Sequence, residues 1–470
     1  MLPACILLFL TFGWGPQMGT VVCALIVLII GSVLLWRPPE SPILWFVFVF
    51  QWIELFSPTL LANWEGVTLK SLERYGDPTY ATWLAMFGMV LHVIGIRVGA
   101  GRADTYQGAI IAQQVHEFSQ IRLFKLYLVA VMLVSLVPFV VEIIPGLRHP
   151  LGVSVNLKWA AYIILTIVTF SQPTASKGLW VVVFTLEVFQ GFFGYFSGFK
   201  FVFLFTFLAI MTARYRFKIG QIVGALLLTI IAISLGVTWT AVKPEYRSYL
   251  NGGTNQQIIT VGAAERIGKL YELTSQLDGE DVRRGGEALS KRLGYISFFG
   301  AATEYVPAVV PHAGGSILWD AVSRVFMPRL IFPDKPIIDE SALVRKYTGQ
   351  QVAGIDRGTQ ISLGFYAESY VDFGVYGMMF CLFGWGFFLG SGYRFLVRGR
   401  YSRGVLGYAL ATVVLLPAYG IGPSSAKLFG GIATSLLVLY FFNRFIVPRY
   451  LSWLRLANSS ITPVSKHRGV

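Results

Sequence analysis

Charge is what this chain has least of. Only 13% of its 470 residues are Asp, Glu, Lys or Arg, whereas 55% are hydrophobic. A soluble domain carries about 25% charged residues, so the composition excludes an ordinary soluble protein and points to a polytopic membrane protein. Cysteine is nearly absent: Cys5, Cys23 and Cys381 all lie in apolar runs, with no CxxC and no zinc-type spacing, and read as buried membrane thiols. Histidine is almost as scarce, with five in the chain. GxxxxGK[ST], HExxH and GxSxG are missing, as is GxGxxG in a strand–helix context, which excludes a cytoplasmic ATPase or dehydrogenase. The N-terminal MLPACILLFL lacks a basic leader and a small-residue cleavage site, so it is expected to form a first membrane helix.

Long apolar runs are abundant. A bilayer core needs about 20 apolar residues per helix, and on that ruler the chain offers candidates at 2–15, 18–36, 41–60, 78–98, 123–143, 157–172, 176–194, 199–213, 218–240, 371–396, 404–421 and 427–447. The expected fold is therefore all-α and polytopic, with about twelve transmembrane helices. With a cytoplasmic N-terminus, the inside segments hold 18 basic residues against three acids (Glu40, Asp104 and Glu117), and the short outside segments hold six basic residues. That bias follows the positive-inside rule and assigns both termini to the cytoplasm. The net charge of +14 is thus a topology signal, and no nucleic-acid partner is expected.

Residues 241–370 stand apart, with 14 Lys+Arg and 14 Asp+Glu. The chain divides accordingly into membrane helices 1–9 (1–240), a large outer loop (241–370), helices 10–12 (371–447) and a cytoplasmic tail (448–470). Within the loop, helical spacing begins around Ile267, Leu270, Leu273 and Leu277. A GE/GG break is expected next, and then a second amphipathic stretch at 286–299. A Trp/Phe-rich helix over about 315–327 is expected to lie along the membrane surface. Pro328, Pro333 and Pro336 forbid a continuous helix and stiffen MPRLIFPDKP, and a short helix covers DESALVRKY.

Two readings of the charged residues stand side by side. Arg324, Arg329 and Lys335 near Asp334, Asp339 and Glu340 form either an internally paired loop or a site for a phosphorylated, membrane-anchored ligand. His312, between a Pro and a Gly pair, is a structural turn residue or a general base, and Glu304, Glu340 and Glu368 are alternative bases. Glu54 and Glu187, inside apolar runs, are functional candidates or interhelical hydrogen-bonding groups, Glu187 with Gln190 for instance.

SRVFMPRLIFPDKP, followed by DE and YTG, and then GTQISLGFYAESYVDFGVYG at 358–377, resembles the segment before a late helix in Wzy-type O-antigen/exopolysaccharide (oligosaccharide repeat-unit) polymerases. The chain departs from the paired Arg-x10-Gly pattern described for some members, since its large loop holds one such match, Arg283 to Gly294. The resemblance implies an enzyme of the bacterial inner membrane. It would transfer a growing glycan from undecaprenyl pyrophosphate to a lipid-linked repeat unit at the periplasmic face, with no cofactor and no metal. It implies Arg324, Arg329, Lys335 and Arg357 on the pyrophosphate, and Glu368, Glu340 or His312 as the base. Trp319, Tyr347 and Tyr370 would stack on sugars. The implied partners are the lipid bilayer, the undecaprenyl-pyrophosphate-linked oligosaccharide, and the chain-length regulator and flippase of the same pathway.

An O-antigen ligase shares the plan and the leaving group. A transporter or flippase would show a duplicated half and short outer loops, and neither is visible here. A scaffold would use 241–370 for docking. Arg329→Ala is expected to shorten or abolish polymer, measured as polymer length at matched membrane levels; normal length would remove Arg329 from its assigned role.

Overall fold

The computed structural model describes residues 2–454, apart from 39, 73–74, 104–105, 194–197, 214–218, 255–258, 328–330, 333, 356–358 and 400–401. Among the described residues the chain is all-helical and contains no strand. The helices of the first half are α1 (Leu2–Phe12), α2 (Met18–Leu35), α3 (Ile43–Trp64), α4 (Leu69–Leu72), α5 (Thr79–Ala100), α6 (Tyr106–Glu117), α7 (Gln120–Ile143), α8 (Arg148–Ser171), α9 (Lys177–Phe193), α10 (Phe199–Ala213) and α11 (Ile219–Leu250). The polar segment contributes α12 (Ala263–Ser275), α13 (Gly279–Leu293), α14 (Ile296–Tyr305), α15 (Ser316–Ser323) and α16 (Glu340–Thr348). The chain then returns through α17 (Phe365–Arg398), α18 (Val405–Leu415), α19 (Ser425–Phe445) and α20 (Val447–Leu454).

Each apolar run expected from the sequence forms a helix. Eight of them are long and apolar enough to cross a membrane among the described residues: α2, α3, α5, α7, α8, α11, α17 and α19. The other four are shorter, with 11 residues in α1, 17 in α9, 15 in α10 and 11 in α18.

Helix α17 is the central post of the bundle, packed on α5, α14, α15, α18 and α19. Its closest partner is α5, and the reason lies in four glycines. A Cβ added at Gly95 or Gly99 of α5 would collide with the carbonyl oxygens of Phe383 and Phe387, and one at Gly386 or Gly390 of α17 with those of His92 and Ile96. Both helices therefore carry small residues four apart at the same interface, so the two backbones touch. This close approach suits a lipid environment, where apolar side chains gain nothing by leaving the solvent. His92 is fully buried in this seam, and its Nδ1 lies 3.0 Å from the Leu382 carbonyl oxygen.

Two local expectations change. Helix α11 does not end near 240 but runs on to Leu250, through Pro244. Trp239, Val242, Tyr246 and Leu250 recur at helical spacing and bury against Leu273 of α12, which sustains the helix. The GE and GG pairs do not break the chain either, because Gly279 opens α13 while Gly285 and Gly286 sit inside it. Gly285 faces α11, where an added Cβ would lie 2.8 Å from the Val237 carbonyl oxygen, so here glycine serves helix contact.

Gly386→Leu is expected to force α5 from α17 and destabilise by at least the about 1–3 kcal/mol of ordinary overpacking. Thermal unfolding of detergent-purified protein checks this, with Gly384→Ala, whose Cβ meets open space, as control. Equal midpoints for the two variants would sink the packing account.

Candidate functional site

Gly420–Ile421–Gly422–Pro423–Ser424–Ser425–Ala426–Lys427 is the entry to α19, and buried carboxylates converge on it. A helix start presents orphan N–H groups and a partial positive charge, both of which favour anions. Ser424 is the N-cap and accepts from the Lys427 amide at 3.3 Å. Glu340, from the first turn of α16, accepts from the Ser424 hydroxyl and from Lys427 Nζ, and is only 1% exposed. Glu368, from the first turn of α17, accepts from the Ser425 amide at 2.7 Å and is 2% exposed. Glu54 of α3 accepts from the Ile421 amide at 2.6 Å.

Tyr295 fills the space between these groups. Its ring packs against Gly364 and Gly422, and its hydroxyl donates to the Ser362 carbonyl. Burial, together with the negative charge of Glu340, Glu368 and Glu54, pushes this phenol above its ordinary value and keeps it neutral.

The first stretch of α17 is a helix of its own. Gly374 has φ 66° and ψ −166°, a conformation that breaks the helix and favours glycine. The half-helix 365–373 carries Glu368 and Asp372 one turn apart on one face. Asp372 accepts from the Ile317 amide at 3.0 Å and the Leu318 amide at 2.7 Å, and so caps α15. The half-helix therefore holds two helix starts, α19 through Glu368 and α15 through Asp372.

Between these helices lies a cleft of about 200 Å³, lined among others by Ser316, Asp320, Lys346, Tyr347, Glu368 and Ser424. Alongside runs a larger apolar groove of about 460 Å³, lined by Leu318, Phe373, Phe380, Trp385, Phe388 and Phe429. Helix α15 is a wall of both, with Ser316 and Asp320 on the cleft and Leu318 on the groove.

The structure brings together only some of the residues singled out in the sequence. Glu368, Glu340 and Tyr347 meet at or beside the cleft. Arg324 and Lys335 are held within their own loop. Arg324 donates to Asp320 at 2.6 Å and to the Pro336 carbonyl at 2.8 Å, while Lys335 donates to the carbonyls of Arg324 at 2.6 Å and Met327 at 3.0 Å. Arg329 and Arg357 lie outside the described residues. Trp319 is 73% exposed, whereas Tyr370 is buried and donates to the Val306 carbonyl at 2.9 Å. His312 is half-buried, with Nδ1 3.2 Å from the Val371 carbonyl oxygen.

Glu304 accepts from the Asp77 amide at 2.7 Å and so pins the loop before α5. The Thr79 hydroxyl beside Asp77 holds that carboxyl below the usual carboxylate range. Glu187 pairs with Lys158 at 2.8 Å and accepts from Tyr127, in place of Gln190.

Sequence reasoning missed Asp372, Lys346 and the Ser424–Ser425–Lys427 cradle. A signal for the cradle exists: Pro-Ser-Ser before an apolar run is an N-cap pattern. Asp372, four residues after Glu368, is likewise a visible pair at helical spacing.

The protein family described as "Domain of unknown function (DUF8712)" matches residues 85–392, more than half of the chain, and the chain belongs to that family. No curated protein and no solved structure matches it.

Lys427→Met is expected to destabilise by about 1 kcal/mol, the upper end for an exposed pair, because the lysine is more than half exposed while its partner Glu340 is buried. Glu340→Gln in the same chain should recover part of that loss. Denaturation midpoints of the single and double variants check it, and strict additivity would rule out the coupling.

Proposed function

We propose that this member of the family is a glycosyltransferase that polymerises a lipid-linked oligosaccharide, moving the growing glycan from undecaprenyl pyrophosphate onto a lipid-linked repeat unit. The observation that carries the reading is the placement of buried Glu368 on a cleft that holds charged and hydroxyl side chains and shares a wall with an apolar groove. An amphiphilic substrate fits such a pair, with its headgroup in the cleft and its hydrocarbon chain in the groove. On this reading the cleft faces the periplasm, both termini are cytoplasmic, and the protein works in a bacterial inner membrane beside a chain-length regulator and a flippase.

The chemistry follows from the groups present. The acceptor hydroxyl attacks the anomeric carbon of the donor, forming the new C–O bond. The bond from that carbon to the phosphate oxygen breaks, and undecaprenyl pyrophosphate leaves with the electron pair. Glu368 takes the hydroxyl proton. Its carboxylate is held by the Ser425 amide and the residue borders the cleft, so it is oriented beside the space an acceptor hydroxyl would occupy. Glu340 is engaged by Ser424 and Lys427 and serves to shape the α19 entry. The leaving pyrophosphate needs cations, and Lys346 on the cleft and Lys427, next in the chain to the cleft residue Ala426, are the described candidates; Arg329 and Arg357, outside the described residues, stay candidates from the sequence. Trp319, exposed on α15, and Tyr347, on the cleft lining, are aromatic surfaces for a sugar ring.

Purified protein in detergent or vesicles is expected to extend a lipid-linked oligosaccharide without any nucleotide sugar. Glu368→Gln should lower that turnover by about 10²–10⁴-fold. Gel or mass-spectrometric product ladders check both points. Extension by E368Q at the parent rate would remove Glu368 as the base, and no extension by the parent protein would sink the reading.

A further inference from the structure

We propose that Asp372 is a positioning residue for the transfer reaction, fixing α15 as a wall of the cleft that Glu368 lines; this rests on the polymerase reading above. Asp372 is 2% exposed, and its two oxygens accept from consecutive amides, Ile317 at 3.0 Å and Leu318 at 2.7 Å. It reaches the cleft through α15, which places Ser316, Ile317 and Asp320 on the cleft lining.

The lock has a second part in the backbone. The break at Gly374 leaves the last carbonyls of the half-helix without helical partners. The turn before α15 supplies them: Ala313 donates to the Val371 carbonyl at 2.9 Å and Gly314 to the Asp372 carbonyl at 3.0 Å. His312 adds its ring nitrogen at the Val371 carbonyl oxygen, 3.2 Å away, and its ring stands over Gly374. The 312–318 segment is thus bonded to 365–373 through side chain and main chain. Since Glu368 and Asp372 share one face of that half-helix, a shift of α15 changes the shape of the cleft around Glu368. On this account His312 belongs to the lock and does not act as the base.

Asp372→Asn preserves size but replaces one accepting oxygen with an N–H₂ group, which leaves one α15 amide unpaired. Two measurements test the proposal. In the extension assay, D372N is expected to lower kcat at least tenfold, with KM for the lipid-linked unit changing less than threefold, and Asp372→Glu to restore part of the rate. Independently of activity, cysteines placed at Ser316 and Ala426, in a chain whose three native cysteines are replaced, are cross-linked with a short bifunctional maleimide. The yield is expected to fall at least threefold in D372N.

An unchanged kcat together with an unchanged yield overturns the proposal. If the parent protein transfers no sugar, the polymerase reading fails alone, and the cross-link yield still decides whether Asp372 holds α15. Should D372N not be recovered folded, Asp372→Ser, whose single short hydroxyl cannot accept from both α15 amides, takes its place in both measurements, with the same losses expected and the same null result overturning the assignment.

Discussion

Two carboxylates on one face of a nine-residue half-helix, each answering the unpaired amides of another helix, are the interaction on which this architecture turns. A buried carboxylate needs hydrogen-bond donors, and a buried helix start needs acceptors, so each removes the other's desolvation penalty. Glu368 takes the α19 amide and Asp372 the α15 amides. Because both acids stand on 365–373, α15 and α19 are set relative to each other, and the cleft and the groove are the spaces left between them.

The stretch 420–427 collects the remaining ties. Glu54 joins it to α3, Tyr295 to the α13–α14 junction, Glu340 to α16, and the Phe365 amide bonds the Pro423 carbonyl at 3.1 Å. Below the break at Gly374, α17 is fastened to α5 by backbone contact through four glycines. The rigid lower part of α17 and the capped upper part thus do different work. One sets the bundle, and the other presents acids to helix starts.

Much of this was legible in the sequence, and the failures have physical causes. The apolar runs foretold every membrane-length helix, because twenty apolar residues in a row have few other fates. Helix ends were less visible: Pro244 reads as a stop, yet burial of Tyr246 and Leu250 against Leu273 carries α11 past it. Gly285–Gly286 reads as a turn, and a neighbouring helix makes it a contact. Glu368 stood out because an acid at the edge of an apolar run is conspicuous. Its partner Ser425 is 57 positions away, and only the fold brings them together. Arg324 and Lys335 attract notice as part of a ligand cluster for the same reason that they hold to each other: they are close along the chain.

Helix α11 carries a consequence for the polar arm packed on it. At 32 residues it is roughly 48 Å long, about 18 Å more than a bilayer's hydrocarbon thickness. A bilayer that buries its apolar half leaves the rest projecting as a mast, with α12 and α13 strapped along it. The distance of that arm from the start of α11 is then set by the length of a helix, which does not stretch.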